Sequence, residues 1–182
     1  MDDLPAPAEP RGRSASASAP APPSPAMAIA LQAVSEADEP FLLELYASTR
    51  REEMAAWNWP PAQVAAFLQM QYRAQRLSYA DAYPGAEHSL VLEDGRPIGR
   101  LLVWRGPAEV RLVDISLLPA ARGRGLGSRL LRQLMQEAAA ARLPLRLQVL
   151  TTNPARRLYL RLGFRRTGGD PVYDAMEWTP EN

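Results

Sequence analysis

Tyr159 stands six residues after Asn153 in the stretch Asn153–Phe164, NPARRLYLRLGF. A phenol with a pKa of about 10 can pass its proton to a departing thiolate. Upstream, Ile115–Ser128 reads ISLLPAARGRGLGS. An apolar strand runs there into a proline, and Arg122, Gly125 and Gly127 follow in R-x-x-G-x-G spacing before a leucine-rich helix. Glycine has no Cβ, so a ligand can approach its backbone closely. The helix behind such a turn offers unpaired N–H groups and the positive end of its dipole, the ordinary means of holding a phosphate. Arg122 and Arg124 add charge to this cradle, which takes in Gly123, Leu126 and Ser128. It is not a Walker loop, because no Gly-Lys-Ser/Thr follows. It is not a dinucleotide fingerprint, because the glycine spacing differs and no acidic residue follows at the required distance. The plainer alternatives are a tight strand-to-helix turn and a tyrosine that only packs.

Composition narrows the chemistry. The chain has 182 residues and is 47% hydrophobic, enough for one domain with a full core. It has no cysteine, which excludes thiolate nucleophiles and disulfides, and its one histidine, His88, rules out a His-rich metal site. No metal is therefore anticipated. All 21 basic residues are arginine, and Ala121–Arg166 holds 11 of them against one acid, Glu137. That segment carries a charge of about +10, while the whole chain carries +1. A single-signed block beside a glycine turn suits a polyanionic ligand. Aromatics are not interleaved as a nucleic-acid stacking platform requires, so no nucleic-acid partner is anticipated. Residues 1–26 hold seven of the 18 prolines, with alanine and serine making up most of the remainder. They read as a disordered tail ahead of a single domain over 27–182. With no signal-length apolar core and no membrane span, the expected location is cytoplasmic. Monomer and homodimer both stay open.

The elements that must position these residues follow from periodicity and turn chemistry. Residues 28–34 read as a strand, and Ser35 caps a helix reaching about Met54 with Phe41, Leu42, Leu45 and Tyr46 on one stripe. A charged, aromatic connection over Arg50–Trp59 leads to a second helix from Pro61 to about Tyr79. Asp94-Gly95 marks a hairpin between strands 89–93 and 97–104, with His88 at the start of an edge-type strand. A central strand, 109–118, precedes the cradle. The helix behind it turns Leu126, Leu130, Leu131, Leu134 and Ala138 inward. Strand 145–150 comes next, then a short helix opened by Asn153 and Pro154 and ended at Gly163, then strands 164–166 and 172–178. The order β-α-α-β-β-β-α-β-α-β-β specifies an α/β domain, an α+β mixed sheet with helices on its faces.

Over Met27 to about Trp178 this order and the two motifs resemble the GNAT superfamily of N-acetyltransferases. The resemblance implies the acyl-CoA N-acyltransferase fold, in which strand 109–118 and strand 145–150 splay apart to admit the pantetheine arm of acetyl-CoA. By the same resemblance, Arg122–Ser128 hold the pyrophosphate, and Ile115, Ser116 and Leu117 pair their backbone with pantetheine. The Leu117 N–H polarises the thioester carbonyl, Tyr159 is the general acid, and Asn153 touches the cofactor. Direct transfer of acetyl to a primary amine in a ternary complex follows, the acceptor being a small molecule, a peptide or a protein. A non-catalytic CoA or acyl-CoA sensor is the alternative.

The sequence departs from the family at the base. Gln148 and Arg111 stand where relatives place a glutamate, and neither can accept a proton as a carboxylate does. Asp114, in an otherwise apolar strand, is the first choice, weighed against a purely structural role. Glu52, Glu53, a solvated Glu109 and a water relay are the others. Trp57, Trp59 and Tyr83 are candidates for the acceptor wall or for packing.

Overall fold

The structure, a computed structural model, describes residues 28–180. The tail read over 1–26 lies outside the described residues, as does Met27. Asp94 and Gly95 take φ of 49° and 78°, the left-handed pair a two-residue hairpin turn needs. They join β2 (Glu87–Glu93) to β3 (Arg96–Arg105). β4 (Val110–Leu117) continues the meander antiparallel to β3. The chain then crosses through α3 (Leu126–Ala141) to β5 (Leu145–Leu150), which runs parallel to β4. After α4 (Ala155–Arg161), β6 (Arg165–Gly169) and β7 (Tyr173–Trp178) complete one side, and β1 (Ile29–Ala33) covers β2 on the other. The seven strands lie in the order β1-β2-β3-β4-β5-β7-β6.

Helices cover both faces. α3 and α4 bury Leu130, Leu131, Leu134, Ala138 and Tyr159 over Val103, Leu112, Leu147 and Met176 of the sheet. All five residues anticipated on the inward stripe of α3 are buried. On the opposite face, α1 (Glu39–Ala55) and α2 (Pro61–Ala82) enclose Leu42, Tyr46, Met54, Leu68 and Tyr72 around Leu90.

Two local expectations change. Arg50–Ala55 continues α1 instead of forming a connection, because no glycine or proline interrupts it. The link to α2 shrinks to residues 56–60, with Asn58 at φ 52° and Pro60 preceding the new helix. His88 is not on an edge: β1 pairs outside β2, so His88 is half-buried, and its Nε2 has no hydrogen-bond partner among the described residues. Which strand is outermost depends on long-range pairing, which alternation along one segment does not encode.

Candidate active site

The centre of the sheet is parted by one extra residue. Leu102 of β3 faces Asp114 while Val103 faces Leu112, so Val113 is a bulge in β4. Bulges bend a strand and break its pairing. β4 accordingly pairs with β5 only through Val110–Leu112, opposite Leu145–Leu147. β5 continues along β7 to Leu150, and the gap opens between residues 113–117 and 148–150. The Leu118 N–H donates to Ile98 O of the β3 side (2.8 Å). Because N–H groups alternate along an extended strand, those of Ile115 and Leu117 face away from β3, into the gap. The Ser116 backbone faces β3, and its hydroxyl donates to Asp114 Oδ2 (3.1 Å). Arg122 Nε donates to Leu117 O (2.8 Å), tying the turn to the lip of the gap.

At that lip, Gly123 and Gly125 take φ of 73° and 80°, and a Cβ at either would meet nothing within 4 Å. Side-chain atoms there would project into open space, the volume a ligand would fill. The first α3 bond runs from Arg129 N–H to Gly125 O (3.0 Å), which leaves the Leu126, Gly127 and Ser128 N–H groups without an intrahelical acceptor. The backbone thus fits a bound pyrophosphate. Gly127 is helical and lies over Leu158, 3.6 Å from the position of a Cβ, so its small size serves helix packing as well.

Charge across the arginine-rich segment is more balanced than its sequence implies. Arg124 pairs with Glu93 (2.7 Å), Arg146 with Glu109 and Glu177 (2.7 and 2.6 Å), and Arg156 and Arg166 with the buried Asp174 (2.5 Å each). Those four acids come from outside the block.

Asp114 lies beneath α2. Its Oδ2 accepts from Arg100 Nε (2.6 Å), and Arg100, only 4% exposed, donates onward to Gln75 Oε1 of α2 (2.8 Å). Oδ1 has no partner among the described residues. Tyr159 is buried with its ring edge-on to Phe164 at 5.7 Å between centroids. Burial, reinforced by the Asp114 charge, pushes its hydroxyl up to about 12. Tyr79 of α2 reaches about 12 for the same two reasons, against an opposing effect of Arg100. Both phenols are therefore protonated at neutral pH. Asn153 Oδ1 accepts from the Ala155 N–H (2.9 Å) and so caps α4, whose regular part begins two residues later.

Glu109 is not solvated as anticipated. It is 14% exposed, and its two oxygens accept from Arg111 Nε and Arg146 Nη1 (2.7 Å each). Burial alone would raise its pKa, but those two guanidiniums outweigh it and hold the carboxyl below its ordinary value. Glu53 is exposed on the last turn of α1 beside Arg50, and Glu52 falls outside the described side chains. Trp57 and Trp59 meet Phe67 in tilted and edge-on contacts, and Trp59 lines a separate groove between α1 and α2.

Where β4 and β5 part, a cleft of about 290 Å³ opens on the α2 side of the sheet. Tyr79 and Tyr83 of α2, Arg111 and Val113 of β4, Gln148 of β5 and Tyr173 of β7 line it. Tyr83 was anticipated there; Tyr79, Tyr173 and the inward setting of Arg111 were not. Tyr79 follows the buried Tyr72 by two helical turns, a spacing that could have singled it out.

A bulged, parted pair of parallel strands with a glycine turn and unpaired helix N–H groups at its lip is the frame of a domain that can hold an extended, phosphate-bearing donor. The chain belongs to the acetyltransferase (GNAT) family, whose model matches residues 42–164. No curated protein sequence matches the chain. Among solved structures, the PaiA N-acetyltransferase of Thermoplasma acidophilum, in complex with coenzyme A, has a TM-score of 0.64 at 18% identity, covering 85% of this chain and 100% of that one. An acetyltransferase of Thermus thermophilus has a TM-score of 0.60 at 21% identity, covering 84% and 97%. YncA of Salmonella typhimurium, with acetyl-CoA, has a TM-score of 0.52 at 22% identity, covering 85% and 95%. At these identities the likeness establishes the fold. Among the described residues no helix is long and apolar enough to cross a membrane, and no group of three His, Cys, Asp or Glu side chains is placed to hold a metal.

Proposed function

We propose that this acetyltransferase moves an acetyl group from acetyl-CoA to a primary amine by direct transfer in a ternary complex. The observation that carries the reading is the gap beyond Val113, with the Ile115 and Leu117 N–H groups facing it and the open glycine cradle at its end. Acetyl-CoA supplies the activated acyl group when bound. The cradle, from Arg122 through Gly123, Arg124, Gly125, Leu126 and Gly127 to Ser128, binds the pyrophosphate with backbone N–H groups and arginine charge. Ile115 and Leu117 receive the pantetheine arm as an added strand, and Ser116 holds the strand to β3. Asn153, its Oδ1 engaged by α4, offers its amide nitrogen to the cofactor.

The neutral amine attacks the thioester carbonyl, forming the C–N bond. The Leu117 N–H donates to the developing oxyanion. As the C–S bond breaks, Tyr159 gives its proton to the sulfur and regains one from solvent. Asp114 Oδ1 takes the proton that the new amide nitrogen must lose, directly or through water. With no cysteine in the chain, a cysteinyl acyl-enzyme is excluded. Thermal-shift titration with acetyl-CoA and free CoA, followed by thiol release across an amine panel, tests the reading. Stabilisation by acetyl-CoA and amine-dependent thiol release are expected; no stabilisation by either CoA species would sink it.

A further inference from the structure

The acceptor cleft lacks the charge that would be expected of a pocket for a polycation. Its lining holds hydroxyls (Ser78, Tyr79, Tyr83, Tyr173), one amide (Gln148) and one charged side chain, Arg111; it contains no carboxylate. Arg111 is held in place from two sides. Glu109 Oε1 accepts its Nε (2.7 Å), and its guanidinium lies over the Tyr83 ring, 5.8 Å from the centroid. Glu109 divides its charge between Arg111 and Arg146. Arg111 makes no second hydrogen bond among the described residues, so its Nη groups keep their donors for a ligand. A planar, pre-positioned guanidinium matches a carboxylate in two-point geometry. About 290 Å³ suits a molecule of amino-acid size rather than a long chain.

We propose that the acceptor is a free amino acid, or a close relative bearing an anionic group near its amine, and that Arg111 receives its carboxylate at the mouth of the cleft. This rests on the N-acetyltransfer reading above. The carboxylate anchors at Arg111 while the amine lies further along the same face, toward the thioester and Asp114. A protein lysine or an internal peptide amine has no such group to offer, and a polyamine meets a positive charge that the shared Glu109 only partly offsets.

The test pairs each L-amino acid with its own carboxamide as acceptor, with thiol release as the readout. The acids should show kcat/KM at least about tenfold above their carboxamides, the effect of one charge-assisted contact. Arg111→Gln should bring that ratio toward one, mainly through KM, and Arg111→Lys should restore part of it. The acetyl-CoA thermal shift of each variant shows whether its fold persists, and the wild-type ratio decides the matter without any variant. Carboxamides accepted as well as the acids, with transfer intact, overturn the proposal alone. Stabilisation by acetyl-CoA with no thiol release from either series, while other primary amines of the panel are acetylated, also overturns the proposal alone; no thiol release from any amine overturns the transfer reading and this proposal with it.

Discussion

Tyr159 packs in the core on the α3 and α4 face of the sheet, and Asp114 lies on the α2 face. Tyr159 is raised to about 12 first by burial and then by Asp114, so it remains a proton donor wherever the amine substrate is neutral. Two outcomes belong to this scale. Tyr159→Phe should lower kcat by about 10²-fold or more while the acetyl-CoA thermal shift survives; unchanged turnover would remove Tyr159 from the reaction. In the wild type, kcat/KM should rise with pH as the amine loses its proton, with no alkaline decline below about pH 10. An acid whose pKa is raised keeps its active form to higher pH, so a falling limb near pH 8 or 9 would point to another donor. Asp114, proposed as the base, also holds the fold together. Its Oδ2 closes a partly buried Arg100–Gln75 network that ties α2 to the sheet, the structural role weighed for it from sequence.

Among the elements, the strand-bulge-turn unit from Val110 to Ser128 does most to build the site. Gly125 sits in the left-handed region, where an added Cβ costs about 1–2 kcal/mol and enters the cradle. Gly125→Ala should therefore lower the melting temperature slightly and weaken acetyl-CoA binding, measured by titration calorimetry; a variant binding as tightly as wild type would mean the cradle does not hold the cofactor. β2 carries a different liability. Burial of His88, aided by the charges of Arg100 and Arg76 and opposed by Asp114 and Glu39, lowers its pKa from 6.5. The unfolded chain then binds more protons below about pH 6.5, so stability falls as pH falls through that window. His88→Phe removes both the titration and the unpartnered Nε2. Its melting temperature should be at least that of wild type at pH 7 and should decline less toward pH 5, as followed by circular dichroism.

At the scale of the molecule, the arginine-rich segment 121–166 meets acids from either side of it in the sequence. Glu93, Glu109, Asp174 and Glu177 meet Arg124, Arg146, Arg156 and Arg166, so a segment of about +10 in sequence is partly neutralised in space. Both faces of the sheet have their own buried cluster drawn from residues 28–180. A chain starting at Met27 should accordingly keep the melting temperature, within about 2 °C, and the acetyl-CoA-dependent activity of the full chain. A large loss of either would assign the first 26 residues a part in the fold or the site.

Periodicity and turn chemistry by themselves determined the element order, the inward stripe of α3, the Asp94-Gly95 hairpin and the cap at Asn153, because each depends on contacts within a few residues. The glycine cradle was legible for the same reason: φ, caps and unpaired N–H groups are local properties. The bulge at Val113 was not, since it exists only as a mismatch of register between β3 and β4. Nor was the cleft proposed for the acceptor. Tyr79, Arg111, Gln148 and Tyr173 come from four elements, and only the parting of β4 and β5 under α2 turns them toward one volume. The pairing of Glu109 with two arginines, and the burial of His88 behind β1, likewise follow from which strands become neighbours. Local sequence settled the glycine turn and helix start proposed to hold the donor; the tertiary structure decided what stands opposite them, because long-range strand pairing sets the charge and shape of that wall.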